Sequence, residues 1–141
     1  MNAPKNDPVR HAKPVIYTIG HSTRPREEFL AILKAYGIEL VVDVRSIPKS
    51  RHNPQFNSEA MEISFPENGI AYEQMRKLGG LRHPKRNSRN RGWDNASFRG
   101  FADYMQTSDF ERGWKILLLL HREKRRRSCA PKLSPGGVIG R

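Results

Sequence analysis

Two short apolar runs, Val15-Ile16-Tyr17-Thr18-Ile19 and Leu40-Val41-Val42, each end on a polar string, and one amphipathic segment lies between them. No other part of the chain narrows the fold as much. The first run ends in Gly20-His21-Ser22-Thr23, the second in Asp43-Val44-Arg45-Ser46-Ile47-Pro48. Together they predict a strand, a helix and a second strand. Parallel strands joined in this way bring their C-terminal ends side by side, which is where open α/β sheets build their sites.

The elements follow from spacing and punctuation. Phe29, Leu30, Leu33 and Tyr36 recur at helical intervals. Thr23 is the expected cap, Pro25 fits the first turn, and Glu27 and Glu28 suit the positive end of the helix dipole. Gly37 is the expected stop. Ile38 to Val44 reads as a strand covered on both faces, because Leu40, Val41 and Val42 run continuously instead of alternating. Asn57 to Phe65 reads as a helix interrupted at Pro66, and Gly69 to Tyr72 as a third, short strand. Residues 76–96 form a long basic loop. A helix from Ser97 to Thr107 carries Phe98, Phe101, Ala102 and Met105 on one face. Ser108 with Glu111 reads as a capping box that opens a last helix, with Phe110, Trp114, Leu117, Leu118 and His121 inward.

The predicted organisation is a disordered lead over 1–13, one α/β domain over 14–124 and a basic, disordered tail over 125–141. The domain is expected to have three layers around a mostly parallel central sheet. A βαβ series calls for a hydrophobic strand after its helix. Here Arg122-Glu123-Lys124-Arg125-Arg126-Arg127 is followed by Pro131, Pro135 and Gly136-Gly137, which cannot form a buried strand.

Composition bounds the function classes. No apolar run approaches the roughly 20 residues that span a bilayer, so no membrane role is expected. The opening residues lack the apolar core of a signal peptide. The single Cys129 excludes an internal disulfide and a four-cysteine zinc site. A cytoplasmic location is the expectation. The net charge of +12 suggests polyanionic partners. Half of it lies in residues 122–141, where seven Lys/Arg face one Glu. A second basic cluster runs from Arg76 to Arg99, opposed only by Asp94.

The strand ends carry the candidate chemistry. His21 is a candidate general base, and a histidine that merely orders its loop is the alternative. Ser22 and Thr23 can bind phosphate with helix N-terminal amides, or simply cap. Asp43 is a candidate base or partner of His21, and Arg45 a candidate bidentate anion clamp. Alternatively, Asp43 and Arg45 form a buried ion pair that anchors loops. They lie two residues apart and so share a face. Arg51 and Arg82 are candidate anion contacts, and Tyr72 a candidate hydrogen-bond donor to a ligand. Lys85, Arg86, Arg89, Arg91 and Arg99, with Trp93, can grip a nucleic-acid backbone and stack a base. The spacing of His21, Asp43, His52 and His83 matches no metal motif. No cofactor or oligomeric state can be read from these residues.

The strings T-I-G-H-S (18–22), D-V-R-S-I-P (43–48), N-P-Q-F (53–56), G-I-A-Y (69–72), L-G-G-L-R (78–82) and F-R-G-F-A-D-Y-M (98–105) resemble the family catalogued as domain of unknown function 488. The resemblance covers about residues 15–120 in matching order. It implies a single α/β domain with a central parallel sheet, and it implies no reaction. It also implies a closing strand and loop of the form L-M-C-A-E-x-x-P-x-x-C-H-R, which this chain lacks. Residues Ser128 to Arg141 admit a choice of codons whose neighbouring frame reads M-C-A-E-A-V-P-W-R-C-H-R-S. A frameshift near Lys124 to Arg127 is therefore expected, and the nucleotide sequence tests it. The functional expectation is an enzyme of this family acting on an anionic, phosphate-bearing or nucleotide substrate, impaired here by the missing loop. The alternative is a non-catalytic nucleic-acid-binding module that uses the basic loop 76–99.

Overall fold

The computed structural model describes residues 15–129, with side chains as far as Lys124. The expected lead over 1–13 and the tail beyond Cys129 lie outside the described residues. Four helices and two strands make up the regular structure: α1 (Arg26–Ala35), β1 (Leu40–Asp43), α2 (Ser58–Glu67), β2 (Ala71–Gln74), α3 (Ala96–Met105) and α4 (Ser108–Cys129). The domain is mixed α/β, and its sheet is the parallel pair β1–β2.

The two helix-to-strand connections use one device. After α1, Gly37 takes φ +63°, its N–H donates to Lys34 O, and Ile38 N–H donates to Leu33 O. After α2, Gly69 takes φ +75°, its N–H donates to Pro66 O, and Ile70 N–H donates to Phe65 O. Both are Schellman stops, in which a left-handed residue lets the chain turn back onto the last carbonyls. Each delivers an apolar residue, Ile38 or Ile70, just ahead of a strand. Pro66 sits in the last turn of α2 and does not end it; the helix closes one residue later. At the start of α1 the cap is Pro25 in place of the expected Thr23. A proline disfavours helical backbone at the residue before it, so the helix cannot begin earlier.

One cluster forms the core: Phe29, Leu30 and Leu33 of α1, Phe56 of a short 3₁₀ turn (Pro54–Phe56), Met61 and Phe65 of α2, and Ile70. Val41 and Tyr72, paired in register across the sheet, pack against it. Alternation then turns Leu40 and Val42 to the other face, where they are half-buried. The expected strand buried on both faces is thus covered on one.

The Val15–Ile19 run corrects the sequence reading. It forms no strand, and Val15 and Tyr17 are 61% and 59% exposed. Apolar, β-branched residues favour a strand, but that preference is set by tertiary packing and does not by itself bring a run into a sheet. Among the described residues β1 pairs only with β2. The three-layer arrangement is likewise not seen in these residues.

The C-terminal half is built differently. Asn95 caps α3, its Oδ1 accepting from Ser97 N (2.8 Å) and Phe98 N (3.3 Å). At α4 the capping box on Ser108 does not form. Thr107 Oγ1 accepts from Phe110 N (3.4 Å), and Glu111 pairs with Lys115 at 2.7 Å. Gly113 is the buried residue of α4 and lies against Leu78, which turns Trp114, expected inward, to 44% exposure. Ile116, Leu119, Phe98 and Met105 are exposed as well. The helix continues through Arg125–Cys129, across the expected start of the tail.

Candidate functional site

Asp43 ends β1 on the core side of the sheet, the same side as Val41 and Tyr72. Its carboxylate is therefore buried, at 6% exposure, and needs partners. Arg45, two residues on, curls back in a bidentate fork: Nε donates to Oδ1 (2.9 Å) and Nη2 to Oδ2 (2.6 Å). The Arg45 backbone N–H also donates to Oδ1 (3.1 Å), and Tyr72 O–H donates to Oδ2 (2.7 Å). A carboxylate offers about four acceptor positions, and these four bonds occupy them.

The guanidinium reaches further. Nη2 also donates to Phe56 O (2.6 Å), and Nη1 donates to His21 Nε2 (3.4 Å). His21 stacks on Phe56 with ring centroids 4.5 Å apart, and its Nδ1 lies 2.7 Å from Ser22 O. With a carbonyl at Nδ1 and a donor at Nε2, the Nδ1–H tautomer satisfies both contacts. The imidazole, carboxylate, guanidinium and phenol thus meet beside the C-terminal end of β1, with His21 arriving on a loop and not on the expected strand.

The electrostatics follow from this packing. Burial pushes the Asp43 pKa up, but the hydrogen bonds from Arg45 and Tyr72 and the Arg45 charge outweigh it, and the carboxyl sits below its ordinary value. The bond to Asp43 raises the Arg45 pKa against the opposing effect of its burial. Burial, then the hydrogen bond to Asp43 and its negative charge, holds the Tyr72 phenol well above its usual value.

The remaining strand-end candidates are scattered. Ser22 is exposed and has φ +51°, a left-handed conformation uncommon outside glycine. Thr23 and Arg51 are exposed and take no part in these bonds. Arg82 turns away: it donates to Gly79 O (3.3 Å) and Arg76 O (3.1 Å), and its guanidinium lies 3.7 Å over the Tyr104 ring. Its segment packs tightly on both sides. A Cβ on Gly79 would collide with Val44 O and Ser46 Oγ, and one on Gly100 with Arg82 O. These two close approaches explain the first glycine of L-G-G-L-R and the glycine of F-R-G-F. Ser46 Oγ completes the seam by donating to Gly80 O (2.6 Å).

A second cluster lies on the basic loop. Pro84, Lys85, Arg86, Ser88, Arg91 and Arg99 line a depression of about 400 Å³. Four of these six are cationic and none is acidic. Of the nucleic-acid candidates, Lys85, Arg86, Arg91 and Arg99 are brought together, while Arg89 and Trp93 lie outside the lining. The loop is held by Asp103 of α3, which is 3% exposed and which the sequence reading does not single out. Asp103 accepts from Ser88 Oγ (2.7 Å), Lys85 N (2.8 Å) and Asn90 Nδ2 (2.7 Å). The Ser88 bond and the Lys85 N–H hold its pKa below the ordinary value. Asp103 shares a helix face with the buried Gly100, three residues earlier and away from the Phe98, Phe101 and Met105 stripe, so apolar periodicity gave no signal for it.

Among the described residues no helix is long and apolar enough to cross a membrane, and no three His, Cys, Asp or Glu side chains gather as a metal set. A family model described as "Domain of unknown function DUF488" matches residues 25–130. Neither the curated proteins nor the solved structures give a match to the chain.

Proposed function

We propose, for a chain that belongs to the DUF488 family, that the domain binds a phosphate-bearing anion in the depression of the basic loop. One observation carries this reading: Lys85, Arg86, Arg91 and Arg99 line one hollow with no carboxylate among them. Like charges held together repel, and a bound anion relieves that repulsion. The acid in the loop's own network, Asp103, faces inward and accepts from Ser88, the Lys85 N–H and Asn90. Its single charge offsets part of that of Lys85 and leaves the four cations in surplus. Titration calorimetry of the full chain with inorganic tripolyphosphate tests the reading. Binding should weaken as salt rises, and Arg91→Ala or Arg99→Ala should weaken it about tenfold. Equal heats from wild type and both variants would remove the depression from consideration.

A second reading is enzymatic, with His21 and Asp43 as acid and base and Ser22, Thr23, Arg45, Arg51 and Tyr72 around an anionic substrate. The left-handed backbone of Ser22 beside the imidazole favours it, because strained residues gather at active sites. Asp43 weakens it, since a carboxylate with four donors on it has no position left for a substrate proton. The Arg45 fork would have to open first. Hydrolysis of a panel of phosphate esters that is lost in His21→Ala, with an unchanged melting temperature, would support this reading; no turnover by the wild type would end it.

A further inference from the structure

Two large exposed aromatic side chains lie close in sequence to the lining of the cationic hollow. Trp93 is 52% exposed and Phe98 is 59% exposed, and their rings lie 5.7 Å apart at 56°. Trp93 follows Arg91 by two residues, and Phe98 immediately precedes Arg99. Exposing two large rings is unfavourable in water, and the core does not recruit them. The backbone of both is held by hydrogen bonds. Asn95 Oδ1 caps α3 at Phe98 N, and Trp93 N–H donates to Asn90 O (3.3 Å) while Asn90 Nδ2 is held by Asp103. The buried carboxylate that shapes the hollow therefore also positions the approach to the rings.

Cations along a groove beside an exposed aromatic face are the chemistry that recognises unpaired nucleotides: the backbone meets the charges and a base stacks on the ring. A simple polyphosphate uses the cations alone. A duplex keeps its bases stacked inside and offers the ring nothing. We propose that the ligand of the depression is a single-stranded nucleic acid, with phosphates on Lys85, Arg86, Arg91 and Arg99 and a base on Trp93. This rests on the anion-binding reading above and names the ligand for it.

Fluorescence anisotropy of the full chain with a labelled oligothymidylate of about 12 nucleotides tests the proposal, with tripolyphosphate and a duplex of the same length as comparators. Trp93→Ala should weaken oligothymidylate binding about tenfold, within the range measured for base–aromatic stacking, and leave tripolyphosphate affinity unchanged. Trp93→Phe should keep most of the binding. Arg99→Ala should weaken both ligands. Replacing Arg125, Arg126 and Arg127 by Gln in the full chain should preserve the single-strand preference, which separates the hollow from the basic tail. Equal affinity for duplex and single strand, or indifference of oligothymidylate to Trp93→Ala, overturns the nucleic-acid assignment while anion binding stands. Loss of tripolyphosphate binding as well would bring down the anion reading itself.

Discussion

Residues 26–74 and residues 96–124 carry apolar side chains at similar helical spacing, yet the fully buried apolar side chains of the two lie in the first. In the first segment α1, α2 and the sheet enclose Phe29, Leu33, Phe56, Phe65 and Ile70. In the second, α3 and α4 leave Phe98, Met105, Trp114, Ile116 and Leu119 exposed. The difference is not one of hydrophobicity. The first half closes on itself, because each Schellman turn returns a helix directly to a strand of the same small sheet. The second half packs through close backbone approaches, one aromatic group and a polar anchor, with Gly100 against Arg82, Gly113 against Leu78, Phe110 edge-on to Phe101 and Tyr104, and Asp103 under the basic loop. One half makes the stability and the other displays charge and aromatic surface.

The comparison breaks most readily on core deletion. Phe65→Ala should destabilise the protein by about 3–5 kcal/mol, while Leu119→Ala should change stability by less than about 0.5 kcal/mol; paired urea melts check both, and similar losses would end the distinction. Arg45→Ala follows, at about 3 kcal/mol, because it strands a buried carboxylate. Its readout is the same melt, with Tyr72→Phe as the milder companion. Gly100→Ala comes next. In an open helix the change would stabilise by roughly 0.5–1 kcal/mol, but here the Arg82 carbonyl leaves no room, and a loss of about 1–3 kcal/mol is expected.

pH sharpens the contrast further. The lowered Asp43 pKa means its stabilisation is complete above about pH 4 and is lost as pH falls through the folded value. Tyr72 runs the other way: its raised pKa gives stabilisation that is complete below about pH 10 and is lost as pH rises through the folded value. Melts across both ranges should show the alkaline component disappear in Tyr72→Phe. The smallest effect on global stability is expected at Asp103→Asn, which should speed amide hydrogen exchange at Lys85 and Ser88 and leave the α1–α2 core protected.

Much of the first half was legible in the chain. Gly37 stops a helix because it can itself turn left-handed, and here the apolar run that follows the stop enters a strand. The strand-end cluster was legible for a related reason, since alternation fixes Asp43 and Arg45 on one face. The role of the pair was not. Whether a carboxylate and a guanidinium serve a ligand or each other depends on burial, and it took Tyr72 and the Arg45 backbone N–H to show that Asp43 has no acceptor position left. The second half was harder to read. Helical periodicity marks an apolar face but not whether anything covers it, and nothing local distinguishes Trp114 from Phe65.

The amino-acid order by itself determined the helices, the turns that end α1 and α2, the two paired strands and the excess of positive charge, because those follow from backbone sterics and from spacing between neighbours. Tertiary structure alone decided that Val15–Ile19 goes unpaired, that Asp103 gathers the basic loop into a hollow, and that the rings of Trp93 and Phe98 stay exposed. Those outcomes depend on which distant groups share space, and contacts between residues far apart in sequence leave no periodic trace in the chain.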